Sequence, residues 1–296
     1  MADVVRSSDL KALDTELYQA NEAELKARTL FNVLTNIPAG AKTYAYNVMS
    51  RAGAAKIFAN GANDVPYVGV FMREYTQKIY SIVSGYEVSI FDIRESEMTN
   101  QPLDTARAAV ARRAVSEEEN RIVFEGDLDY NIKGLTNATG IQVTAVPAGA
   151  GGGTRWSSKT GMEILADIRN VRAKVTVLKG HDITANLVLA MPAAQYEELQ
   201  KPYHATSEKT VLEVLQSKNW FGRIVVIPEL AGKGTAGSDC LVVFDRSRTV
   251  VELGLPMDLT RHEPEYQFPY YKYPVEERTT GLIIRFPMAI SRGDGI

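Results

Sequence analysis

The chain has 296 residues, of which 45% are hydrophobic and 23% are charged, an ordinary balance for a globular protein. Its formal net charge is −3, so it lacks the basic excess that drives binding to nucleic acid. The single cysteine, Cys240, excludes an internal disulfide, and its setting in "SDCLVVFD" predicts a core thiol within a strand.

The N-terminal stretch "MADVVRSSDLKALD" lacks the apolar centre of a secretion signal. No run of about 18 apolar residues, the minimum for a membrane-spanning helix, occurs in the sequence. We therefore expect a protein that is synthesised in a cytoplasm and has no membrane partner.

The first predicted element is an amphipathic helix over residues 7–34. Leu10, Leu13 and Leu17 fall on one face of it, and Ser8 suits its N-cap. The pattern leaves two interpretations open. The helix either packs on its own domain or forms an arm that lies on a neighbouring subunit.

From Pro38 the pattern changes to alternation, and a long β-hairpin is predicted over residues 41–70. Gly53 and the segment 60–64 carry the turn signals. A two-stranded ribbon is only marginally stable in water, so its apolar surface is expected to be covered by something else. Among the large apolar side chains that this segment carries are Tyr44, Tyr46, Ile57, Phe58 and Tyr67.

A long strand over residues 68–83 and a short helix from about Gly85 are expected next. The strongest helix signal follows at residues 102–125, with Pro102 in its first turn. At about 1.5 Å per residue this helix spans more than about 30 Å, the length of a domain, so it is predicted to be a structural spine. Its expected apolar stripe consists of Leu103, Ala106, Val110 and Ala114.

Residues 138–262 alternate between helix and strand patterns and predict a compact α/β unit. The Tyr- and Pro-rich segment that follows predicts a β-hairpin and not a tail. Its strands are expected to pair outside the α/β unit, with the 68–83 strand and the spine helix.

The sequence predicts no catalytic, cofactor or metal site. The glycine-rich stretches 149–153 and 231–237 lack the Gly-Lys-Ser/Thr register of a phosphate-binding loop, and both are predicted to be mobile loops. His181, His204 and His262 are far apart and have no partner at metal-ligand spacing. Asp127 and Asp129 form an i, i+2 pair in a turn, a position in which carboxylates cap backbone N–H groups more often than they catalyse.

The order of these parts resembles the HK97-type major capsid fold of tailed bacteriophages, which is an α+β fold. An arm, a hairpin, a long strand, a spine helix and an α/β insertion occur in that order. The resemblance implies the following parts: N-terminal arm, 1–37; E-loop hairpin, 38–70; P-domain, 71–137 and 263–296, with spine helix 102–125; and α/β A-domain, 138–262.

Two stretches carry the resemblance most closely. "SEEENRIVFEGDLDYNIKGLTN", residues 116–137, is similar to the corresponding segment of encapsulins, and "IPAGAKTYAYNVMSRAGAAKI" is similar to the start of encapsulin-related capsid proteins. In this scheme Gly126 and Gly134 form the hinge at which the spine helix passes into the A-domain, because glycine permits the required backbone turn.

The resemblance implies a non-enzymatic phage capsid protein that assembles with itself into pentamers and hexamers of an icosahedral shell around double-stranded DNA. Scaffold, portal and decoration proteins are expected as further partners, and DNA is expected in non-specific proximity only. The alternatives are an encapsulin nanocompartment shell and, from another class, a nucleotide-binding α/β enzyme built on 138–262. The expected lattice contacts are Leu10, Leu13, Leu17, Tyr44, Tyr46, Ile57, Phe58 and Tyr67.

Overall fold

A computed structural model describes residues 24–57, 67–99, 103–178, 180–181 and 184–296. The predicted contact residues Leu10, Leu13, Leu17 and Phe58 lie outside this part of the chain. Within it, no helix is long and apolar enough to span a membrane.

The described chain mixes helices and strands throughout its length. The α-helices are α1 (Ala27–Leu30), α2 (Ile90–Thr99), α3 (Leu103–Glu125), α4 (Gly161–Thr176), α5 (Ala193–Glu198) and α6 (Val211–Ser217). Short 3-10 helices lie at Trp156–Ser158, Thr184–Asn186, Pro228–Leu230, Thr235–Gly237 and Pro287–Ala289.

Strands account for the remaining regular structure. They are β1 (Asn32–Leu34), β2 (Thr43–Ala52), β3 (Gly69–Lys78), β4 (Tyr80–Ser89), β5 (Gly126–Asp127), β6 (Ile132–Lys133), β7 (Gln142–Ala145), β8 (Leu187–Met191), β9 (Arg223–Val226), β10 (Cys240–Asp245), β11 (Val251–Gly254), β12 (Met257–Arg261), β13 (Glu265–Gln267), β14 (Tyr270–Thr279), β15 (Gly281–Ile284) and β16 (Ile290–Asp294).

The centre of the molecule is a five-stranded mixed sheet in the order β7-β16-β10-β8-β9. Every residue of β8 and β10 is buried, because both faces of this sheet are covered. Side chains alternate between the faces of a strand. Val188 and Val242 therefore join a core with Phe124 of α3, whereas Leu189 and Val243 join a second core with α4.

A second sheet supports the spine helix α3. β14 pairs antiparallel with β4 from Thr279 opposite Tyr80 to Tyr270 opposite Ser89, and it also carries β12 and β13. The predicted hairpin in the Tyr- and Pro-rich segment is therefore present, and its long strand lies on β4 as expected.

Three predicted elements differ from the structure. The single strand expected over 68–83 is two strands that meet at Ile79, and the helix expected from Gly85 begins at Ile90. The reason is that β14 pairs with β4 through Ser89 and so keeps the chain extended. The helix expected over 7–34 does not extend to residue 34, because β1 pairs in parallel with β11 and gains backbone hydrogen bonds there.

The predicted stripe of the spine helix is also wrong where the structure describes it. Ala106, Val110 and Ala114 are exposed, and the side chain of Leu103 lies outside the described part. The buried face contains Ala111 and Val115 instead, because β4 and β14 pack on that side.

Strand pairing crosses the predicted limits between the A-domain and the P-domain in three places. β15, expected in the P-domain, pairs with β11 of the A-domain. β16, expected in the P-domain, lies inside the five-stranded sheet between β7 and β10. β12, expected in the A-domain, pairs with β14. The limits at residues 138 and 262 remain a prediction, and three of the strands near the C-terminus connect the two units.

Candidate subunit-contact surfaces

The hairpin β2–β3 is a two-stranded ribbon in which Thr43 lies opposite Lys78 and Ala52 opposite Gly69. Directly opposed residues place their side chains on the same face. One face carries Met49 opposite Met72, and the other carries Tyr46 opposite Tyr75. A ribbon of two strands has no interior of its own.

Large apolar side chains of this ribbon face solvent. Phe71 is 64% exposed and Met72 is 72% exposed, although neither residue has a polar atom in its side chain. The other exposed apolar residues of the ribbon and of its flanks are Met49, Ile57, Tyr67, Val68 and Val70. Met49, Val70 and Met72 lie on one face of the ribbon, and clustered exposed apolar side chains of this kind are typical of a protein-protein contact.

The base of the ribbon is attached to the rest of the subunit. Tyr46 donates a hydrogen bond of 3.1 Å from its hydroxyl to the carbonyl oxygen of Ile284. Gln77 donates from Nε2 to the carbonyl oxygens of Thr280 and Leu282, at 2.7 and 2.9 Å. Burial raises the pKa of Tyr46 above its usual value, so its hydroxyl stays protonated and able to donate.

A cleft of about 670 Å³ adjoins this base. Tyr46, Tyr75, Tyr80 and Tyr130 line it together with Arg285, whose guanidinium lies 5.7 Å from the centre of the Tyr46 ring. The lining combines aromatic faces with one cation stacked on a ring, and the cleft belongs to the same surface as the ribbon.

The predicted contact residues separate into two groups. Tyr44 and Tyr46 are half-buried at the base, where they contact their own subunit. Ile57 and Tyr67 are 97% and 90% exposed, near the end of the ribbon.

Sequence reasoning missed Val70, Phe71 and Met72. The available signal was the run "VGVFM", residues 68–72, which has no polar residue. A strand with one face on its own core would alternate apolar and polar residues, so this run indicates apolar side chains on both faces.

The spine helix offers a second exposed apolar surface. Val110 is 68% exposed, and Ala106 and Ala114 lie exposed one turn to either side of it. Towards its C-terminus the same helix is buried, with Val123 and Phe124 in the central core. The first half of α3 is thus available to a partner, and the second half anchors the helix.

The corner at residues 126–137 is closely packed at its two glycines and at Leu135. Gly126 has a φ of +73°, and a Cβ at Gly134 would lie 2.4 Å from the backbone nitrogen of Gly126. Gly134 donates its N–H to Oδ1 of Asn137 at 2.7 Å. Leu135 is fully buried in the central core. Both predicted glycines are therefore required by backbone geometry and close approach, whereas their role as a hinge remains a prediction.

Asp127 acts as a capping residue in this corner. Its Oδ1 accepts the N–H groups of Asp129 and Tyr130 at 3.0 and 3.2 Å, and Arg121 lies 3.0 Å from Oδ2. The hydrogen bond from Arg121, followed by those backbone donors, lowers the pKa of the Asp127 carboxyl. The predicted capping role of Asp127 is confirmed, and its oxygens are occupied by donors of the protein itself.

The glycine-rich segment 149–153 does not form a phosphate cradle. Glu163, in the first turn of α4, accepts the N–H of Ala150 at 2.6 Å and the N–H of Thr160 at 2.8 Å. A carboxylate of the chain thus occupies the position at the helix start where an anion would bind. In the second glycine-rich stretch, Thr235 donates to the carboxylate of Asp294 from its backbone and its hydroxyl.

The histidines and the cysteine lie at separate places. His181 is 2.9 Å from Asp245, and His262 is 2.9 Å from Glu276, whereas His204 contacts Thr206. Within the described ranges, no three His, Cys, Asp or Glu residues are arranged to hold a metal ion. Cys240 is buried in β10, and burial raises the pKa of its thiol to about 12. The predicted core position of Cys240 is confirmed.

Solved structures that this chain resembles include a phage capsid and a virus-like particle. The chain superposes on the capsid of Myoviridae phage XM1 with a TM-score of 0.84, at 14% identity, over 99% of both chains. It superposes on the virus-like particle from Pyrococcus furiosus with a TM-score of 0.61, at 17% identity, over 90% of this chain and 91% of that one. These likenesses confirm the predicted α+β fold of the HK97 type.

Sequence comparison gives the same class of protein. The Type 1 encapsulin shell protein EncA of Myxococcus xanthus is 24% identical over 262 residues, which are 86% of this chain and 82% of that protein. A family model described as major capsid protein matches residues 53–296. Members of that family are structural shell proteins, not enzymes, and they assemble with copies of themselves. The chain belongs to the major capsid protein family.

Proposed function

We propose that this chain forms the icosahedral capsid of a tailed bacteriophage and encloses its double-stranded DNA genome. The observation that carries the proposal is the β2–β3 ribbon, which is fixed at its base by Tyr46 and Gln77 and exposes apolar side chains beyond that base. A ribbon of this kind gains little stability within its own subunit.

A second copy of the chain is the partner that this ribbon fits. Covering a side chain of the size of Phe71 or Met72 contributes roughly 1.5–3 kcal/mol. Closed symmetry repeats the same contact at every subunit, so a modest contribution per side chain accumulates over a shell. Pentamers and hexamers of such a shell would place the ribbon of one subunit on its neighbour.

The phage assignment is supported by the overlap with the capsid of phage XM1 over 99% of both chains. The alternative, a nanocompartment shell that holds an enzyme cargo, is supported by the encapsulin relative from Myxococcus xanthus. The two candidates share the fold and differ in contents. The experiment must therefore identify what the assembled shells contain.

The remaining partners follow from the phage assignment. We propose scaffold, portal and decoration proteins as partners during assembly, and synthesis in the cytoplasm of the bacterial host. The net charge of −3 favours contact with packaged DNA by proximity and not by phosphate affinity.

The test has two steps. The chain is first expressed alone and with its neighbouring genes, and the products are imaged by negative-stain electron microscopy. Closed shells are expected, and a sharp monomer under all conditions would overturn the proposal. Particles are then purified from a culture that produces them, treated with nuclease and extracted. Protected double-stranded DNA of uniform length is expected, whereas shells that contain an enzyme and no DNA would establish the nanocompartment instead.

A further inference from the structure

Arg28 of α1 contacts carboxylates from three other elements. Its Nε lies 2.7 Å from Oε2 of Glu119 on α3, and its Nη2 lies 2.9 Å from Oε2 of Glu277 on β14. Its Nη1 lies 2.8 Å from Oδ1 of Asp258 on β12. One guanidinium thus connects α1 to the spine helix and to the sheet that supports it.

Two of these carboxylates are deeply buried. Glu119 is 2% exposed and Glu277 is 0% exposed. The Oε1 atom of each is buried and has no hydrogen-bond partner among the described residues. Buried carboxylates require a neutralising charge or donor. Arg28 supplies one positive charge for both, so within the described part of the chain the pair lacks one further neutralising group.

Other charged and polar groups surround the cluster without meeting this need. Asp258 adds a third negative charge and is largely exposed. Asn120, which follows Glu119 on α3, uses its Oδ1 to accept the N–H groups of Lys26 and Ala27, and its amide nitrogen contacts Glu229. Lys26 pairs with Glu24 at 3.7 Å.

We propose that Glu119 and Glu277 bind one proton between them, through the oxygens that Arg28 leaves free. The proton converts two buried negative charges into one, which the guanidinium of Arg28 then balances. The shared proton is therefore a structural component of the junction where α1 attaches to α3 and β14. No metal ion is needed for this arrangement.

The titration of the cluster agrees with its geometry. Burial, and next the negative charge of Glu119, raise the pKa of Glu277 from 4.5 to about 8, although Arg28 opposes the shift. Burial lowers the pKa of Arg28, but its carboxylate partners outweigh burial and raise it above the usual value. The guanidinium therefore stays charged at every pH at which the carboxyl pair holds its proton.

The site makes stability depend on pH in a defined direction. A carboxyl whose pKa is raised by folding keeps its proton in the folded chain at pH values where the unfolded chain has lost it. The linked stability is complete below about pH 4.5 and is lost as the pH rises to about 8. Across that window the unfolding equilibrium constant rises by up to about tenfold per pH unit. Above it, the two carboxylates repel each other and loosen the junction.

Infrared spectroscopy of the full-length folded protein tests the proposal directly. The carbonyl stretch of a protonated carboxyl should be present between pH 4.5 and 8 and should disappear as the pH rises through about 8. Glu277→Gln should abolish the band, and Glu119→Gln should shift its loss to lower pH because the repelling charge is gone. Glu265→Gln, at an exposed position of the same terminal hairpin, should leave it unchanged.

Denaturant unfolding gives an independent measurement on the same variants. In the wild type, the free energy of unfolding should fall as the pH rises from 4.5 to 8. This fall should be smaller in Glu277→Gln and unchanged in Glu265→Gln. If the wild-type band is absent throughout this window, or persists in Glu277→Gln, the proposal is wrong. A stability that depends on added chelator would also overturn it, because a cation would then occupy the place of the proton. If Glu277→Gln does not fold, the pH at which the infrared band disappears in Glu119→Gln still tests the proposal.

Discussion

Met49 of β2 lies directly opposite Met72 of β3, and both side chains face solvent, 48% and 72% exposed. Val70 lies on the same face, two residues from Met72, and is also exposed. Methionine is flexible and polarisable, so it adapts to an irregular partner surface. This face of the ribbon therefore provides apolar contact area in the part of the hairpin that lies beyond its anchored base.

The first prediction concerns this methionine pair. Met49→Ser with Met72→Ser should leave the unfolding free energy of the subunit within about 0.5 kcal/mol, because exposed positions contribute little to subunit stability. Shell formation should fail, since the change removes apolar contact area at every interface. Denaturant unfolding measures the first result, and sedimentation with electron microscopy measures the second.

The matched control is the next opposed pair on the same face. Asn47 lies opposite Glu74, and both are exposed and polar. Asn47→Ser with Glu74→Ser should leave shells intact. Normal shells from the methionine double variant would show that this face is not a contact surface.

The second prediction concerns the anchored base. Tyr46→Phe removes the hydroxyl that donates to Ile284 but keeps the ring that stacks on Tyr75 at 5.7 Å. The loss of one hydrogen bond should cost about 0.5–1.5 kcal/mol. Hydrogen exchange should speed up along β2 as the ribbon loosens. Tyr75→Phe keeps both the stacking and the hydroxyl of Tyr46, so an equal acceleration in that variant would contradict the role given to the Tyr46 hydroxyl.

The third prediction concerns the corner that follows the spine helix. Leu135 is fully buried beside Phe124, and Leu135→Ala should lower the unfolding free energy by about 2–5 kcal/mol through lost burial and a residual cavity. Leu128 lies in the same corner but is 76% exposed. Leu128→Ala should change stability by less than about 0.5 kcal/mol. Equal effects in denaturant unfolding would show that the corner is not packed as described.

Local patterns in the sequence were enough to predict the hairpin and the spine helix, because alternation and helical spacing are set by neighbours along the chain. β1 could not be predicted in this way. Its three residues become a strand because β11, far away in sequence, supplies backbone partners. The exposed face of α3 was misassigned for a related reason, since alanine and valine suit both a core and a subunit contact.

The Arg28 cluster lies beyond sequence reasoning for the same physical cause. Glu119, Asp258 and Glu277 are separated from Arg28 by 91, 230 and 249 positions. No spacing rule connects residues at such distances. The capping role of Asp127 was predictable, in contrast, because its backbone donors lie two and three residues away.

The last prediction concerns Asp127 and its pH dependence. Asp127→Ala should lower the melting temperature at neutral pH, because the N–H groups of Asp129 and Tyr130 and the guanidinium of Arg121 lose their acceptor. The pKa of this carboxyl is held below its usual 3.8, first by the hydrogen bond from Arg121 and then by the backbone donors. A carboxyl with a lowered pKa stabilises the folded chain at pH values above 3.8, and that stabilisation is lost as the pH falls through the lowered pKa. The difference in melting temperature between wild type and Asp127→Ala should therefore be constant near neutrality and shrink in acid.

The control is Asp129→Ala, at an exposed position in the same turn, which should match the melting temperature of the wild type at every pH. A difference that grew on acidification, or a hydrolase or transferase activity that disappeared in Asp127→Ala while shells still formed, would contradict the capping role.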